Sequence, residues 1–249
     1  MHRFFLPPDQ CREQIVTLTG GEAHHALHVL RIRTGERLVV LDGAGRELMC
    51  EALPARGDSL PLSVKQSNSI PALPYEVTLV QAVPKGKIIE GIIQKAVELG
   101  VHRIVPLLSE RVVTQLDEES AQARAEKWRA TAIEAIKQCG SAWLPTVEAP
   151  LLPKDFLARN EKFELPLIGS LQDDRRHPRQ YFESFRREHN RLPRTVCVWI
   201  GPEGDFTPAE LNAAKGAGAL PINLGRLVLR SETAAIYALS IINYELQSQ

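Results

Sequence analysis

From Tyr75 onward, apolar runs of strand length alternate with segments of helical period, and that alternation limits the possible folds most. "YEVTLVQAV" reads as a strand. "KGKIIEGIIQKAVELG" reads as an amphipathic helix, with Ile88, Ile89, Ile92, Ile93, Ala96 and Val97 on one face and Gly100 as its stop. "VHRIVPLLS" is a second strand, and residues from about Glu118 to Cys139 form a long helix stopped by Gly140. "FELPLIGS" and "TVCVWIG" are further strands, apolar enough to be buried on both faces. The pattern predicts an α/β unit, a mostly parallel sheet covered by helices on both sides.

The texture before Tyr75 differs. "ERLVVLDGAGRELMCEAL" has the form strand, Asp-Gly-Ala-Gly turn, strand, which predicts a β-hairpin. One short helix is expected near Glu22 to Arg31. "SNSIPALPYE", Ser67 to Glu76, carries two Pro and two Ser between apolar segments and is the expected linker. The 249 residues therefore divide into a small β-rich domain over 1–70 and an α/β domain over 75–249.

Composition excludes several classes. No apolar stretch approaches the ~20 residues that span a bilayer, and "MHRFFLPPDQCREQ" lacks the apolar core of a signal peptide. Cys11, Cys50, Cys139 and Cys197 lie far apart with no Cys-x-x-Cys pair, so reduced thiols and a cytoplasmic location are expected. Net charge is zero, which argues against a protein that coats nucleic acid, yet Asp173 to Arg194 holds seven Arg against four acids. His24 and His28 have the i, i+4 spacing of a zinc pair, but no third ligand follows at metal spacing, so no metal is expected. For those histidines and His25, RNA contact or helix packing is the reading. The Gly-x-Gly-x-x-Gly of nicotinamide enzymes, the P-loop and the Gly-x-Ser-x-Gly of hydrolases are all missing.

Two glycine turns carry the chemistry. "VCVWIGPEGDFTPAEL" runs from a strand into a capping box, Thr207 at the N-cap, Pro208 next and Glu210 at the third position. "GPEGDF" is then a loop at the carboxyl end of a strand, where open α/β sheets bind ligands, and its glycines let a ligand approach the backbone. The second turn, Leu224-Gly225, is followed by Arg230, Ser231, Glu232 and Thr233 at the entrance of the last helix. That helix, Thr233 to Leu246, is apolar nearly all round, so burial in the core or against another chain is expected. Polar groups at its entrance need partners.

"IGPEGDFTPAE", "LGRLVLRSETA" and "QKAVELGVHRIVPL", with "HRFF" and "HHALHVLRIRTGE" upstream, resemble the RsmE family of 16S ribosomal RNA uridine-N3 methyltransferases, of the SPOUT class of S-adenosylmethionine (SAM) enzymes. The likeness covers the whole chain. It departs at Asp205, where many relatives have a third Gly, and at Ser231, where Thr is frequent. The resemblance implies an α/β trefoil-knot methyltransferase domain, an exception to the rule against knots, behind a PUA-like β-barrel that helps bind RNA. It implies a homodimer with each active site near the seam, and 16S rRNA of the small ribosomal subunit as the partner.

By the same resemblance, SAM sits on Ile200, Gly201, Pro202, Glu203 and Gly204, and on Leu224, Gly225, Leu229, Arg230 and Ser231, with Gly169 closing a third side. Arg230 would stabilise the anion formed when uracil N3 loses its proton, and either Glu203 or Glu232 would be the base. Arg3, His25, Arg31, Arg33, Lys85 and Lys87 are the candidate RNA contacts. The cluster of Arg175, Arg176 and Arg179 reads as solvated surface, with RNA contact as its alternative. A non-catalytic RNA-binding protein with a vestigial SAM pocket is the alternative.

Overall fold

The structure, a computed structural model, describes residues 1–111 and 118–247. The chain divides into two compact units, Met1–Ala72 with Ile133–Leu144, and Leu73–Ala132 with Pro145–Gln249.

In the first unit β1 (Arg3–Phe5), β2 (Ile15–Leu18), β3 (Arg37–Leu41), β4 (Arg46–Ala52) and β5 (Leu60–Ser69) form one sheet in the order β1-β3-β4-β5-β2. The predicted hairpin is β3–β4. Its turn is held by Asp42, only 1% exposed, whose Oδ1 accepts from the N–H groups of Ala44 and Arg46, each at 2.8 Å, while Oδ2 takes Arg46 Nε at 2.8 Å. At Gly45, with φ of +93°, a Cβ would lie 2.5 Å from the Trp143 ring, so only glycine fits. The short helix is α1 (Gly20–His24) continued by a π-helical turn, His25–Val29. It stops before the predicted Arg31, where the backbone turns left-handed at φ 54°. The linker is also shorter than expected, because β5 continues to Ser69, paired with Arg46 of β4. Lys137, almost buried, lies 2.7 Å from both Glu22 and Glu134. Burial alone would push its pKa down, but the hydrogen bonds it donates to the two carboxylates outweigh that and hold it up.

In the second unit β6 (Glu76–Ala82), β7 (Arg103–Leu107), β8 (Thr146–Val147), β9 (Leu165–Gly169), β10 (Thr195–Ile200) and β11 (Leu220–Ile222) form a parallel sheet in the order β11-β9-β10-β6-β7-β8. The helices are α2 (Ile88–Glu98), α3 (Glu118–Cys139, which from Ile133 on belongs to the first unit), α4 (Pro153–Ala158), α5 (Pro178–His189), α6 (Pro208–Gly216) and α7 (Ser231–Gln247). On one face Cys197 and Trp199 of β10 and Val80 of β6 pack with Phe156 of α4 and Leu211 of α6. Alternation sends Gln81 and the intervening residues of β10 to the other face, where α7 packs on β6 and β10 and against α2 and α5.

Two expectations change. Ile88, assigned to the buried face of α2, is the first residue of that helix and 38% exposed. The last helix is not apolar all round in effect. It buries Ala235, Ala238, Leu239, Ile242 and Leu246 at helical spacing, while Tyr237 and Tyr244 are exposed. Among the described residues no helix is long and apolar enough to cross a membrane.

Glu164 ties the start of β9 to the start of β10. It accepts from Arg191 at 2.7 and 2.8 Å and from the Arg194 N–H at 2.6 Å. The Arg191 guanidinium first, and the Arg194 N–H after it, hold its carboxyl down at about 2, against an ordinary 4.5. Because the folded pKa is the lower one, this contribution is complete above pH 4.5 and vanishes as pH falls through 2. Glu164→Gln should therefore flatten the drop in thermal midpoint between those values, measured by circular dichroism. An unchanged acid limb would contradict that.

The four cysteines are free. Burial pushes Cys11 up to about 11 and Cys50 to about 12, and raises Cys197 further, in the middle of β10. Only Cys139 is exposed. A soluble thiol reagent should label one equivalent rapidly in the native protein and four after denaturation.

Candidate functional site

β11, β9 and β10 are neighbours and parallel, so their carboxyl ends, Ile222, Gly169 and Ile200, lie side by side. The loops that leave those ends enclose a cleft of about 200 Å³. Gly201, Pro202, Glu203 and Asp205 come from the first loop, Leu224 to Leu229 from the second, and Ser170, Leu171 and Arg175 from the third.

The first loop is pinned at several points. The capping box of α6 is present, with Thr207 Oγ1 accepting from the Glu210 N–H and Glu210 Oε2 accepting from the Thr207 N–H at 2.9 Å. The second oxygen of Glu210 accepts from the Glu110 N–H at 2.9 Å. Arg111 donates to the carbonyls of Gly204 and Asp205. Asp205 is left-handed at φ 61° and turns its Oδ1 to the Phe206 N–H at 2.8 Å, a local bond that makes the αL conformation tolerable for a side chain. At Gly201 a Cβ would come within 3.0 Å of Asp205 Oδ1 and 3.2 Å of the Phe206 nitrogen. A side chain there would force Asp205 or the backbone at Phe206 to give by a few tenths of an ångström.

The second loop turns at Gly225, φ 116°, whose N–H donates to Asn223 Oδ1 at 2.7 Å. One hydroxyl joins the two loops. Ser231, 4% exposed at the start of α7, donates to the Gly201 carbonyl at 2.6 Å and accepts from Gln81 Nε2 at 3.0 Å.

A model described as an RNA methyltransferase domain matches residues 71–243, and one described as an RNA methyltransferase PUA domain matches residues 18–51. The ribosomal RNA small subunit methyltransferase E of Bacillus subtilis is 30% identical over 98% of this chain and 97% of its own. Its namesake from Synechocystis is 35% identical over 99% of this chain and 78% of its own. This chain belongs to the ribosomal RNA small subunit methyltransferase E family. Solved structures agree with that membership. A Legionella pneumophila methyltransferase in complex with bound SAM superposes at a TM-score of 0.86, with 31% identity over 97% of this chain and 96% of that one. The methyltransferase E of Neisseria gonorrhoeae bound to SAM does so at 0.84, with 28% identity over the same shares of the two chains.

Of the residues expected to hold the cofactor, Gly169, Ile200, Gly201, Pro202 and Glu203 line the cleft, as do Leu224, Gly225, Leu229 and Ser231. Gly204 and Arg230 are not among the lining residues. Gly204 faces outward, where an added Cβ would stand 3.4 Å from Arg111 Cδ. Arg230 is exposed, flanked by two lining residues, and makes no ion pair among the described residues. Glu203 Oε1 accepts from the Lys85 N–H at 3.2 Å, which ties the first loop to the segment before α2. Glu232, in the first turn of α7, is half-buried and outside the lining.

Reading the sequence missed Arg175. Read with Arg176 and Arg179 as solvated surface, it lines the cleft, its guanidinium on the carbonyls of Leu171 and Gln172. The signal available was its position, six residues beyond the end of β9. Arg179 does point outward, paired with Glu183 at 2.9 Å.

The RNA candidates separate into engaged and open side chains. Arg3 donates to the carbonyls of Lys137 and Gln138 at the end of α3, 3.4 and 3.3 Å away, acting as a helix C-cap. His25 packs edge-on against Phe4, and His24 stacks with His28, ring centroids 4.9 Å apart. Arg31, Arg33, Lys85 and Lys87 are exposed. Among the described residues no group of three or more His, Cys, Asp or Glu is placed to hold a metal ion.

Proposed function

We propose that the protein is a SAM-dependent methyltransferase that methylates N3 of a uridine in 16S rRNA of the small ribosomal subunit. The observation that carries this reading is the joining of two glycine crooks, residues 201–205 and 224–229, at one cleft by the Ser231 hydroxyl. The donor set fits the cofactor. Backbone N–H and C=O groups can read an adenine edge, glycines allow close approach, and the acids Glu203 and Asp205 suit a cationic sulfonium. When bound, SAM supplies an electrophilic methyl group.

The chain's own part is to hold, orient and deprotonate. Uracil N3 must give up its proton and face the methyl in line, and positioning of that kind can contribute ~7–11 kcal/mol. Arg230, flanked by lining residues and without an ion pair among the described residues, would meet the uracil oxygens as negative charge develops on them. Glu203 is the better placed base of the two, since it lines the cleft and Lys85 engages only its Oε1. That carboxylate would take the N3 proton and leave the nitrogen lone pair to accept the methyl group that SAM would supply.

The homodimer belongs to the same reading. Leu227 and Val228 on the second crook are 79% and 77% exposed, and Tyr237 of α7 is 45% exposed. Apolar side chains beside a cleft are consistent with a second copy as their cover, and light scattering should return the mass of two chains. The PUA-like barrel, the C-terminal trefoil knot and a cytoplasmic location belong here too, with Arg31 and Arg33 as phosphate contacts. Arg31→Ala should weaken small-subunit binding about two- to tenfold and flatten its salt dependence at unchanged SAM affinity, by titration. An unaltered salt slope would speak against it.

The deciding experiment has two parts. Calorimetry should show binding of SAM and none of NAD. Small subunits lacking the modification should then gain one methylated uridine N3, mapped by nuclease digestion and mass spectrometry. A protein that binds rRNA and no SAM would instead be the non-catalytic RNA binder, a reading that the close-fitting crooks do not favour.

A further inference from the structure

Gln81 lies near the end of β6, fully buried, and no part of the methyl-transfer chemistry described above uses it. Its Nε2 donates to the Ala82 carbonyl at 2.8 Å and to Ser231 Oγ at 3.0 Å. Ser231 in turn donates to the Gly201 carbonyl at 2.6 Å. The direction of this chain is fixed chemically. The Ala82 carbonyl can only accept, so the amide nitrogen must face it, and the oxygen must face away. The serine hydroxyl has one proton, already directed at Gly201, so toward Gln81 it can only accept. The outcome is that Gln81 Oε1 is buried with no hydrogen-bond partner among the described residues.

An unsatisfied buried acceptor destabilises the fold, so an apolar residue of the same shape would serve the fold better. We infer that Gln81 is a positioning residue for cofactor binding. By orienting the Ser231 hydroxyl it fixes the Gly201 carbonyl, and through that carbonyl the spacing between the two crooks. The three residues lie on β6, directly after the end of β10 and at the start of α7, so the relay ties β6 to both loops of the cleft. The inference rests on the SAM reading of that cleft.

The test uses the full-length protein and SAM in calorimetry, with thermal unfolding in parallel. Gln81→Met keeps the side-chain length and removes both the relay and the stranded oxygen. It should raise the SAM Kd and the KM for SAM about tenfold, leave kcat within about twofold, and hold or raise the thermal midpoint. Gln81→Glu should be worse, because a carboxylate would accept the Ser231 proton and draw it off Gly201. In a double-mutant cycle, Gln81→Met should add almost nothing to Ser231→Ala, since both break one relay. Wild-type SAM affinity in Gln81→Met, or full additivity with Ser231→Ala, would overturn the inference while leaving the SAM reading intact. A lowered midpoint with unchanged KM would reduce Gln81 to a packing role. A wild-type protein that fails to bind SAM would overturn both.

Discussion

Gly201→Val is expected to abolish SAM binding, raising the Kd at least ~100-fold, while the protein still folds. A Cβ at this position would sit 3.0 Å from Asp205 Oδ1, 3.2 Å from the Phe206 nitrogen and 3.4 Å from Asp205 Cα. The carboxylate could swing aside, but the backbone of 205–206 leads directly into the capping box of α6 and is anchored there. The two γ-methyls of valine extend further than that Cβ, so the loop must open or the methyls must enter the cleft. Either response destroys the fit of the crook. The Gly201 carbonyl, which takes the Ser231 proton, would also move. Gly204→Ala is the control. That glycine is not among those with positive φ, lies outside the lining and would meet only Arg111 at 3.4 Å, so a change of no more than about threefold is expected. Calorimetry with SAM, alongside circular dichroism to confirm folding, separates them. Equal losses in both variants would mean that the loop binds by overall shape and not through Gly201.

Arg230→Ala is expected to slow methyl transfer by ~10²–10³-fold with little change in SAM affinity. The guanidinium makes no ion pair among the described residues and its side chain is exposed, so its removal leaves no buried charge behind. Its neighbours Leu229 and Ser231 line the cleft, which sets Arg230 in the chain between two lining residues. A structural cation would show its loss in stability or in cofactor binding, whereas a cation that stabilises developing charge shows it only in the chemical step. Single-turnover methylation of small subunits at saturating SAM reads that step. A rate equal to wild type would remove Arg230 from the reaction, and a parallel loss of SAM affinity would make it a cofactor ligand.

How much of this was legible in the sequence depends on the range of the interactions. Strongly periodic elements were readable because their signal is local. The hairpin at Asp42–Gly45, the helix ending at Cys139 and the capping box at Thr207 and Glu210 each depend on neighbours within a few residues. β8, with two residues, and α4, with six, were too short to show a period. α5 was obscured by its own arginines, because it buries little beyond Pro178 and Phe182. The ends of elements failed wherever tertiary pairing decided them, as at Ser69, held in β5 by Arg46 of β4.

The same division runs through the site. By itself the sequence determined that two glycine turns follow apolar strands and that polar residues stand at the mouth of the last helix. Those are statements about backbone freedom and local hydrogen bonding, which the chain carries wherever it goes. Only the tertiary structure decided that Gly201 and not Gly204 faces the cleft, that Arg175 joins it, that Arg3 caps a helix, and that Gln81 reaches Ser231 across 150 residues. Each of those facts depends on the strand order β11-β9-β10-β6 or on the packing of one helix, in which residues remote along the chain meet. No local pattern of side chains encodes which of two neighbouring glycines will turn inward.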